Sequence, residues 1–101
     1  MPLFLSLLSS FDRSLKNLDS TQQETVELIL KALEVYYASD CNLSEAQKIS
    51  PRFFYKQLRK PFYEAGVEGK IRVVIRRDGP ACVAMLTGNH DQVKRFLANQ
   101  S

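Results

Sequence analysis

Arg72 and Arg76 are the residues whose type and spacing are best suited to bind an anion. Residues 70–77 alternate largely between apolar and charged side chains, which is the pattern of a strand with one buried face. The two arginines share one parity, so we expect both on the other face, close enough to contact successive phosphates of a nucleic-acid strand. A guanidinium makes paired hydrogen bonds to phosphate oxygens and stays charged at any relevant pH.

The preceding basic segment contains two more candidate phosphate ligands, Lys56 and Arg59. They are three residues apart and point in opposite directions in a regular strand, so only one of them can share the face of the two arginines. Tyr55 and Tyr63 can stack on nucleic-acid bases or pack in the interior. A basic strand face can also be a solvated surface whose charges discourage aggregation. Composition alone leaves these alternatives open.

His90 is the candidate for proton transfer. It follows the last predicted strand, directly after Gly88-Asn89, where a side chain can reach over the end of the sheet. Imidazole groups exchange protons near neutral pH, so this residue can act as a general acid or base in a cleavage reaction. The structural alternative is an ordinary surface or helix-capping residue, and Asp91 is more simply a first-turn helix residue.

The net charge of +3 conceals an uneven distribution along the chain. Residues 1–51 carry a net charge of −3, residues 52–77 a net charge of +6, and residues 78–101 are neutral. The basic segment contains eight lysines and arginines against two glutamates. Such a segment favours an anionic partner if its charges lie on one surface.

Length and composition predict one cytoplasmic domain over residues 1–101. The chain has 45% hydrophobic residues, enough for a core without disulfides or metal. No apolar stretch approaches a membrane span, and residues 3–8 lack the flanks of an export signal. Cys41 and Cys82 match no metal-binding spacing, so we expect reduced thiols and no metal or cofactor.

One strand and two amphipathic helices are predicted before the basic segment. Residues 2–8 are apolar and too few for a helix, which favours a strand. Ser10 is suited to cap a first helix. A second helix is expected to begin at Ser20 or Thr21, both of which fit a capping box, and to end near Ser39. The apolar residues at helical spacing are Phe11, Leu15, Leu18, Val26, Ile29, Leu30, Leu33 and Tyr37.

Three strands and a short helix are predicted after residue 51. The strands cover residues 53–60, 70–77 and 81–87, and Asp78-Gly79 predicts a hairpin turn. Residues 62–69 are expected to form a loop because Gly66 and Gly69 interrupt them. A terminal helix begins at His90 or Asp91.

These elements predict an α+β fold with a four-stranded sheet and the order βααβββ, followed by the short helix. The sheet is antiparallel and mixed at the N-terminal strand, with the two N-terminal helices on one face. Ile71, Val73 and Ile75 are expected under those helices. The other face, with Arg72 and Arg76, is then open to water.

Residues 53–97 resemble the RelE/ParE superfamily of bacterial toxin–antitoxin toxins. Residues 11–19 are similar to the first helix of that family, so the resemblance covers nearly the whole chain. The order and spacing of the motifs carry the resemblance more than any single motif. The matching features are Leu58-Arg59, the run from Lys70 to Val74, the Asp78-Gly79 hairpin and the segment Gly88 to Asp91.

The resemblance implies a ribosome-dependent messenger-RNA endonuclease that a cognate antitoxin protein inhibits. In such enzymes the 2′-hydroxyl attacks the scissile phosphate, and basic residues stabilise the developing charge. By position, the resemblance implies that Arg59 and Arg72 bind or stabilise the phosphate and that His90 transfers a proton. The remaining candidate RNA contacts are the basic residues Lys56, Arg76 and Lys94.

Three features depart from the family pattern. Lys94 occupies the position where several members have a base-stacking aromatic residue, and Gln57 occupies the position of an acidic residue in some relatives. The segment 61–69 is longer than in the shortest members.

Two other functions remain open at this point. The ParE branch implies inhibition of DNA gyrase, for which His90 would be dispensable. A non-catalytic module of the same fold would bind an antitoxin or peptide at a sheet edge or helix groove. For either toxin, the expected partner is an acidic antitoxin segment that is disordered when free and folds as it wraps the basic face and the helices.

Overall fold

A computed structural model describes residues 4–100, with the exception of the Phe4 side chain. Its elements are β1 (Phe4–Leu7), α1 (Ser9–Lys16), α2 (Ser20–Ala38), α3 (Leu43–Ala46), β2 (Phe54–Gln57), β3 (Phe62–Gly66), β4 (Arg72–Asp78), β5 (Ala81–Gly88) and α4 (His90–Ala98). The strands form one sheet in the order β1-β5-β4-β3-β2. β1 is parallel to β5, and the other pairs are antiparallel. The predicted α+β class and the mixed sheet are confirmed, and residues 2 and 3 of the first predicted strand lie outside the described residues.

The sheet has five strands, so the prediction of four was wrong. The segment 62–69, expected to be a loop, contains β3, which pairs with both β2 and β4. Gly66 is part of this strand, and the ring of Phe54 on β2 occupies the space that a side chain at this position would need. A Cβ atom at Gly66 would be 2.7 Å from Cε1 of that ring. The glycine therefore permits a close approach between neighbouring strands.

One face of the sheet, which we call the first face, carries Val73 and Ile75 and lies under α1 and α2. Val73 and Ile75 are fully buried, and so are Phe11 on α1 and Leu33 on α2. Burial of apolar surface is the main favourable term in folding, so this cluster is the principal core. Its position under the two N-terminal helices confirms the expectation for the apolar residues of β4.

The helix boundaries agree with the apolar periodicity, but two of the caps differ. Asp19 caps α2 in place of Ser20 or Thr21. Its side chain accepts a hydrogen bond from the Gln22 backbone N–H at 2.8 Å, and the Gln22 side chain accepts one from the Asp19 backbone N–H at 3.0 Å. Asp19-x-x-Gln22 also fits a capping box, so the helix begins one residue after this aspartate. α1 begins after Leu8, whose side chain makes no capping bond.

The second face of the sheet carries Arg72, Val74 and Arg76, and α4 packs across its centre. The predicted open face was therefore wrong. Val93 of α4 is buried with Val74 and Phe62, and Phe96 meets Phe62 edge to face with ring centroids 5.4 Å apart. The apolar side of α4 needs a surface to cover, and the α1–α2 side is already occupied. Within residues 4–100 no helix is long and apolar enough to span a bilayer.

Candidate nucleic-acid interface

Two basic clefts lie on the second face, one at each end of α4. The first, which we call the histidine cleft, is lined by Gly69, Lys70, Arg72, Asn89, His90 and Asp91. The second, which we call the turn cleft, is lined by Arg59, Lys60, Pro61, Phe62, Arg76 and Gln100. Their volumes of about 360 and 390 Å³ are within the range of small ligand sites.

Arg72 is held in place from three sides at the floor of the histidine cleft. Its Nη1 donates to the carbonyl oxygens of Gly69 at 2.7 Å and Ile71 at 3.0 Å. The guanidinium carbon lies 4.9 Å from the centroid of the Phe54 ring, a cation–π contact. The Arg72 side chain is 24% exposed, and among the described residues no hydrogen bond engages Nη2. Arg72 thus lines the cleft with a guanidinium whose Nη2 has no protein acceptor within residues 4–100.

Glu64 is a buried carboxylate beside Arg72 that sequence reasoning missed. Its side chain is 4% exposed; Oε1 lies 3.7 Å from Nε of Arg72 and Oε2 lies 3.2 Å from Nζ of Lys56. The partners are on neighbouring strands, since β3 lies between β2 and β4. An assignment of residues 62–66 to a strand would have placed Glu64 opposite Lys56, in the observed register.

The contact with Glu64 places Lys56 on the second face with Arg72. The sequence had left open whether Lys56 or Arg59 shares that face. Its side chain is 60% exposed, so the ion pair with Glu64 is solvated on one side. Arg59 is not governed by strand parity at all, because β2 ends at Gln57 and Arg59 lies in the turn that follows.

His90 is the first residue of α4 and is exposed in the histidine cleft with Arg72. The Asn89 side chain caps the helix by accepting from the Gln92 backbone N–H at 2.9 Å. Backbone N–H groups of a first helical turn, such as those of His90 and Asp91, favour a nearby anion. The structure thus brings together two of the three predicted catalytic residues.

Lys70 and Lys94 add exposed positive charge near His90. Lys70 lines the histidine cleft itself, although the sequence analysis did not select it. Its position directly before the β4 strand that carries Arg72 was the available signal. Lys94 follows His90 by four residues, so the two side chains lie on the same side of α4, one turn apart.

Arg59 is not brought together with Arg72 and His90. Its Nη2 donates to the carbonyl oxygen of Leu97 at 2.6 Å and also to that of Gln100, at the C-terminal end of α4. The last carbonyls of a helix lack intrahelical donors and carry partial negative charge, so a guanidinium there stabilises the helix end. Arg59 therefore anchors α4 and lines the turn cleft.

Arg76 also lies in the turn cleft and not beside Arg72. The two arginines are on the same face of β4 as expected, but four residues separate them. At about 3.3 Å per residue their Cα atoms are about 13 Å apart. The two side chains line different clefts. The expectation that they contact successive phosphates as neighbours was therefore wrong.

The tyrosines of β2 and β3 pack on the first face and do not present their rings to the clefts. The rings of Tyr55 and Tyr63 stack with centroids 5.4 Å apart, and the hydroxyl groups of Tyr37 and Tyr55 are 2.9 Å apart. Burial raises the pKa of Tyr37 above its usual value and raises the pKa of Tyr55 to about 12. Arg77 lies over the Tyr63 ring at 5.3 Å and belongs to this cluster.

The two cysteines are free thiols. Cys82 is buried under the helices, and burial raises the pKa of its thiol. Between residues 4 and 100, no three histidine, cysteine, aspartate or glutamate side chains are grouped closely enough to hold a metal ion.

Several solved structures share this fold. The RelB–RelE antitoxin–toxin complex from Methanococcus jannaschii matches with a TM-score of 0.58 and 12% identity, over 89% of this chain and 95% of that chain. A copper-bound mutant toxin from Helicobacter pylori matches with a TM-score of 0.54 and 21% identity, over 92% and 99%. The solution structure of a conserved hypothetical protein from Helicobacter pylori matches with a TM-score of 0.54 and 22% identity, over 90% and 97%.

These likenesses cover most of each chain at low sequence identity, so what they establish is the fold. No protein-family model matches the sequence, and no curated protein matches it. The chain has the fold of RelE-type toxins, and the resemblance found in the sequence is confirmed at that level.

Proposed function

We propose that this protein is a RelE-type toxin that cleaves messenger RNA on the ribosome. The observation that carries the proposal is the pairing of Arg72 and His90 in the histidine cleft. Cleavage of a phosphodiester by the neighbouring 2′-hydroxyl is accelerated by positive charge at the phosphate and by proton transfer, which a fixed guanidinium and an exposed imidazole can supply. The fold shared with a RelE complex supports the same function.

The chemistry assigns one role to each residue. The 2′-oxygen forms a bond to phosphorus, the bond to the 5′-oxygen breaks, and the products are a cyclic phosphate and a 5′-hydroxyl. Arg72 stabilises the negative charge that builds on the phosphate oxygens, since its position is already set by Gly69, Ile71 and Phe54. His90 carries out one of the two proton transfers, from the 2′-hydroxyl or to the 5′-oxygen, and water carries out the other.

A cognate antitoxin is the proposed protein partner. The Methanococcus jannaschii structure of the same fold is an antitoxin–toxin complex. In this chain, residues 52–77 carry a net charge of +6, and several of these charges border the two clefts. An acidic antitoxin segment that covered these clefts would neutralise the charge and block access to Arg72 and His90.

Induction in bacteria tests the function. Wild-type protein should arrest growth and cut translated messages, and a purified translation system should show cuts only when ribosomes are present. His90→Ala and Arg72→Ala should each lower the cleavage rate by about 100-fold or more, as the loss of proton transfer or of one charge-stabilising donor does. Arg13→Ala is the matched control, because Arg13 is an exposed arginine on α1.

The alternatives give different results in the same experiments. Translated RNA that stays intact in the presence of folded wild-type protein would contradict the proposal. Inhibition of DNA supercoiling by the purified protein, unchanged by His90→Ala, would assign a gyrase inhibitor. Antitoxin binding without toxicity after release would assign a non-catalytic module. Unfolding curves of each variant separate a loss of chemistry from a loss of folded protein.

A further inference from the structure

We propose that the turn cleft is a second RNA-binding site, which holds a backbone phosphate away from the phosphate that is cleaved. This inference rests on the proposed function in one respect, that the substrate is RNA. It assigns binding to Lys60, in the turn between β2 and β3, and to Arg76, on β4, two exposed cations that line the same cleft.

Among residues 4–100, no carboxylate forms an ion pair that neutralises the positive charge of the turn cleft. Arg59, Lys60 and Arg76 line it, and none of them forms an ion pair with a carboxylate among residues 4–100. In the histidine cleft, by contrast, Arg72 lies beside Glu64. Lys60 and Arg76 therefore give the cleft a positive charge that an anion bound there neutralises.

The backbone that presents these cations is fixed to the sheet. The turn between β2 and β3 is closed by a hydrogen bond from the Phe62 N–H to the Arg59 carbonyl oxygen at 2.8 Å. The Arg77 N–H donates to the Pro61 carbonyl oxygen at 3.0 Å, which ties the turn to β4. Phe62 also pairs directly with Arg76 across the ladder. The turn cleft is therefore formed before any ligand binds, which lowers the entropy cost of binding.

The two clefts are placed so that one strand of RNA can reach both. Arg72 and Arg76 lie on the same face of β4, with Cα atoms about 13 Å apart. α4 runs between the clefts, and its nine residues span about 13 Å. Lys94 is exposed on this helix, one turn after His90. An RNA whose scissile phosphate lies in the histidine cleft can thus pass along α4 and place a later or earlier phosphate in the turn cleft.

The walls of the turn cleft favour recognition of the backbone over recognition of bases. Phe62 is 6% exposed, with its ring packed against Phe96, so it is not free to stack on a base. Guanidinium and ammonium groups supply donors that match phosphate oxygens. The contact should therefore be independent of base sequence.

The test is the salt dependence of RNA binding by the purified protein. Binding of a fluorescent oligoribonucleotide of about six nucleotides is measured over a range of salt concentrations, for wild type and for the double variant Lys60→Gln/Arg76→Gln. Each lost phosphate contact reduces the magnitude of the slope of log K against log salt by about 0.7, so the double variant, which loses the one phosphate held in the turn cleft, should lose about 0.7. Its affinity at low salt should fall about tenfold or more.

The matched control removes two exposed charges from the N-terminal helices, in the double variant Arg13→Gln/Lys31→Gln. It has the same change in net charge, so an effect of overall charge would appear equally in both double variants. Arg59 is left intact in both proteins, because it anchors the end of α4. Equal slopes in the two double variants, or no RNA binding by the wild-type protein, would overturn the inference.

Cleavage in the translation system is measured in parallel and distinguishes the two proposals. If wild-type protein cuts messages but the slope is the same for both double variants, the second site is absent and the proposed function stands. If the slope falls as expected but no message is cut, the turn cleft binds RNA and the proposed function is wrong.

Discussion

The two faces of the sheet differ in how their side chains are used. The first face is covered by α1 and α2 and contains a continuous apolar core with the tyrosine cluster at its margin. The second face has a smaller apolar cluster under α4, and basic clefts lie at both ends of that helix. A helix that covers only the centre of a face leaves both ends of the strands accessible to a ligand.

Neighbouring arginines of β4 show the same division. Arg77 points to the first face, where its guanidinium lies over the Tyr63 ring at 5.3 Å. Arg76 points to the second face, where it is exposed in the turn cleft. Side chains alternate along a strand, so a shift of one residue separates an arginine that packs from an arginine that can bind a ligand.

The largest expected difference between the faces is in stability. Phe11→Ala removes a fully buried ring from the principal core, and we expect a loss of about 3–5 kcal/mol in the free energy of unfolding. Phe96→Ala removes a half-buried ring from the second face, and we expect a loss of about 1 kcal/mol. Denaturant unfolding of both variants measures the difference. Similar losses would show that α4 is as important to stability as the two N-terminal helices.

Glu64→Gln tests the carboxylate that makes the second face distinct. The change keeps the shape of the side chain and removes the charge that faces Lys56 and Arg72, so we expect a loss of about 1–3 kcal/mol in stability. RNA cleavage should fall about tenfold because Arg72 is less firmly positioned, whereas RNA affinity should not fall, because the net charge rises by one. Glu68→Gln is the matched control, since Glu68 is an exposed glutamate that faces Arg52 at 3.9 Å. Parallel losses of affinity and of cleavage rate in Glu64→Gln would contradict a positioning role.

The smallest effect compares the caps of two helices on opposite faces. Asp19 and Asn89 each form a capping box, with Gln22 and Gln92. Asp19→Ala and Asn89→Ala should each lower the free energy of unfolding by about 1 kcal/mol. Only Asn89→Ala should also reduce RNA cleavage, because α4 carries His90 into the histidine cleft. Equal cleavage by the two variants, at temperatures where both are folded, would mean that the start of α4 does not position the catalytic group.

Much of the fold could be predicted from local patterns. The apolar spacing from Phe11 to Tyr37 predicted α1 and α2, and alternation after Lys70 predicted β4 with its buried face. β3 was missed because Gly66 and Gly69 suggested a loop, whereas Gly66 makes room for the Phe54 ring on the neighbouring strand. A contact between strands decided that assignment, and no local pattern contains it.

The candidate site was predicted in its residue types and only partly in its grouping. Arg72 and His90 were both selected, and they share a cleft because β4 begins where α4 begins. Arg59 was expected with them but lies at the other end of α4, where the carbonyl oxygens of Leu97 and Gln100 accept its hydrogen bonds. The partners of Arg59 are about 40 residues away in the chain, so strand parity carries no information about them.

The sequence by itself determined the uneven charge, and its periods of two and 3.6 residues determined α1, α2, β4, β5, α4 and the face of β4 on which each arginine lies. Only the tertiary structure decided that α4 divides the basic face into two clefts and that Glu64 lies between Lys56 and Arg72. Those features depend on which distant segments pack together. Packing is selected by the burial of whole surfaces, which no short stretch of residues specifies alone.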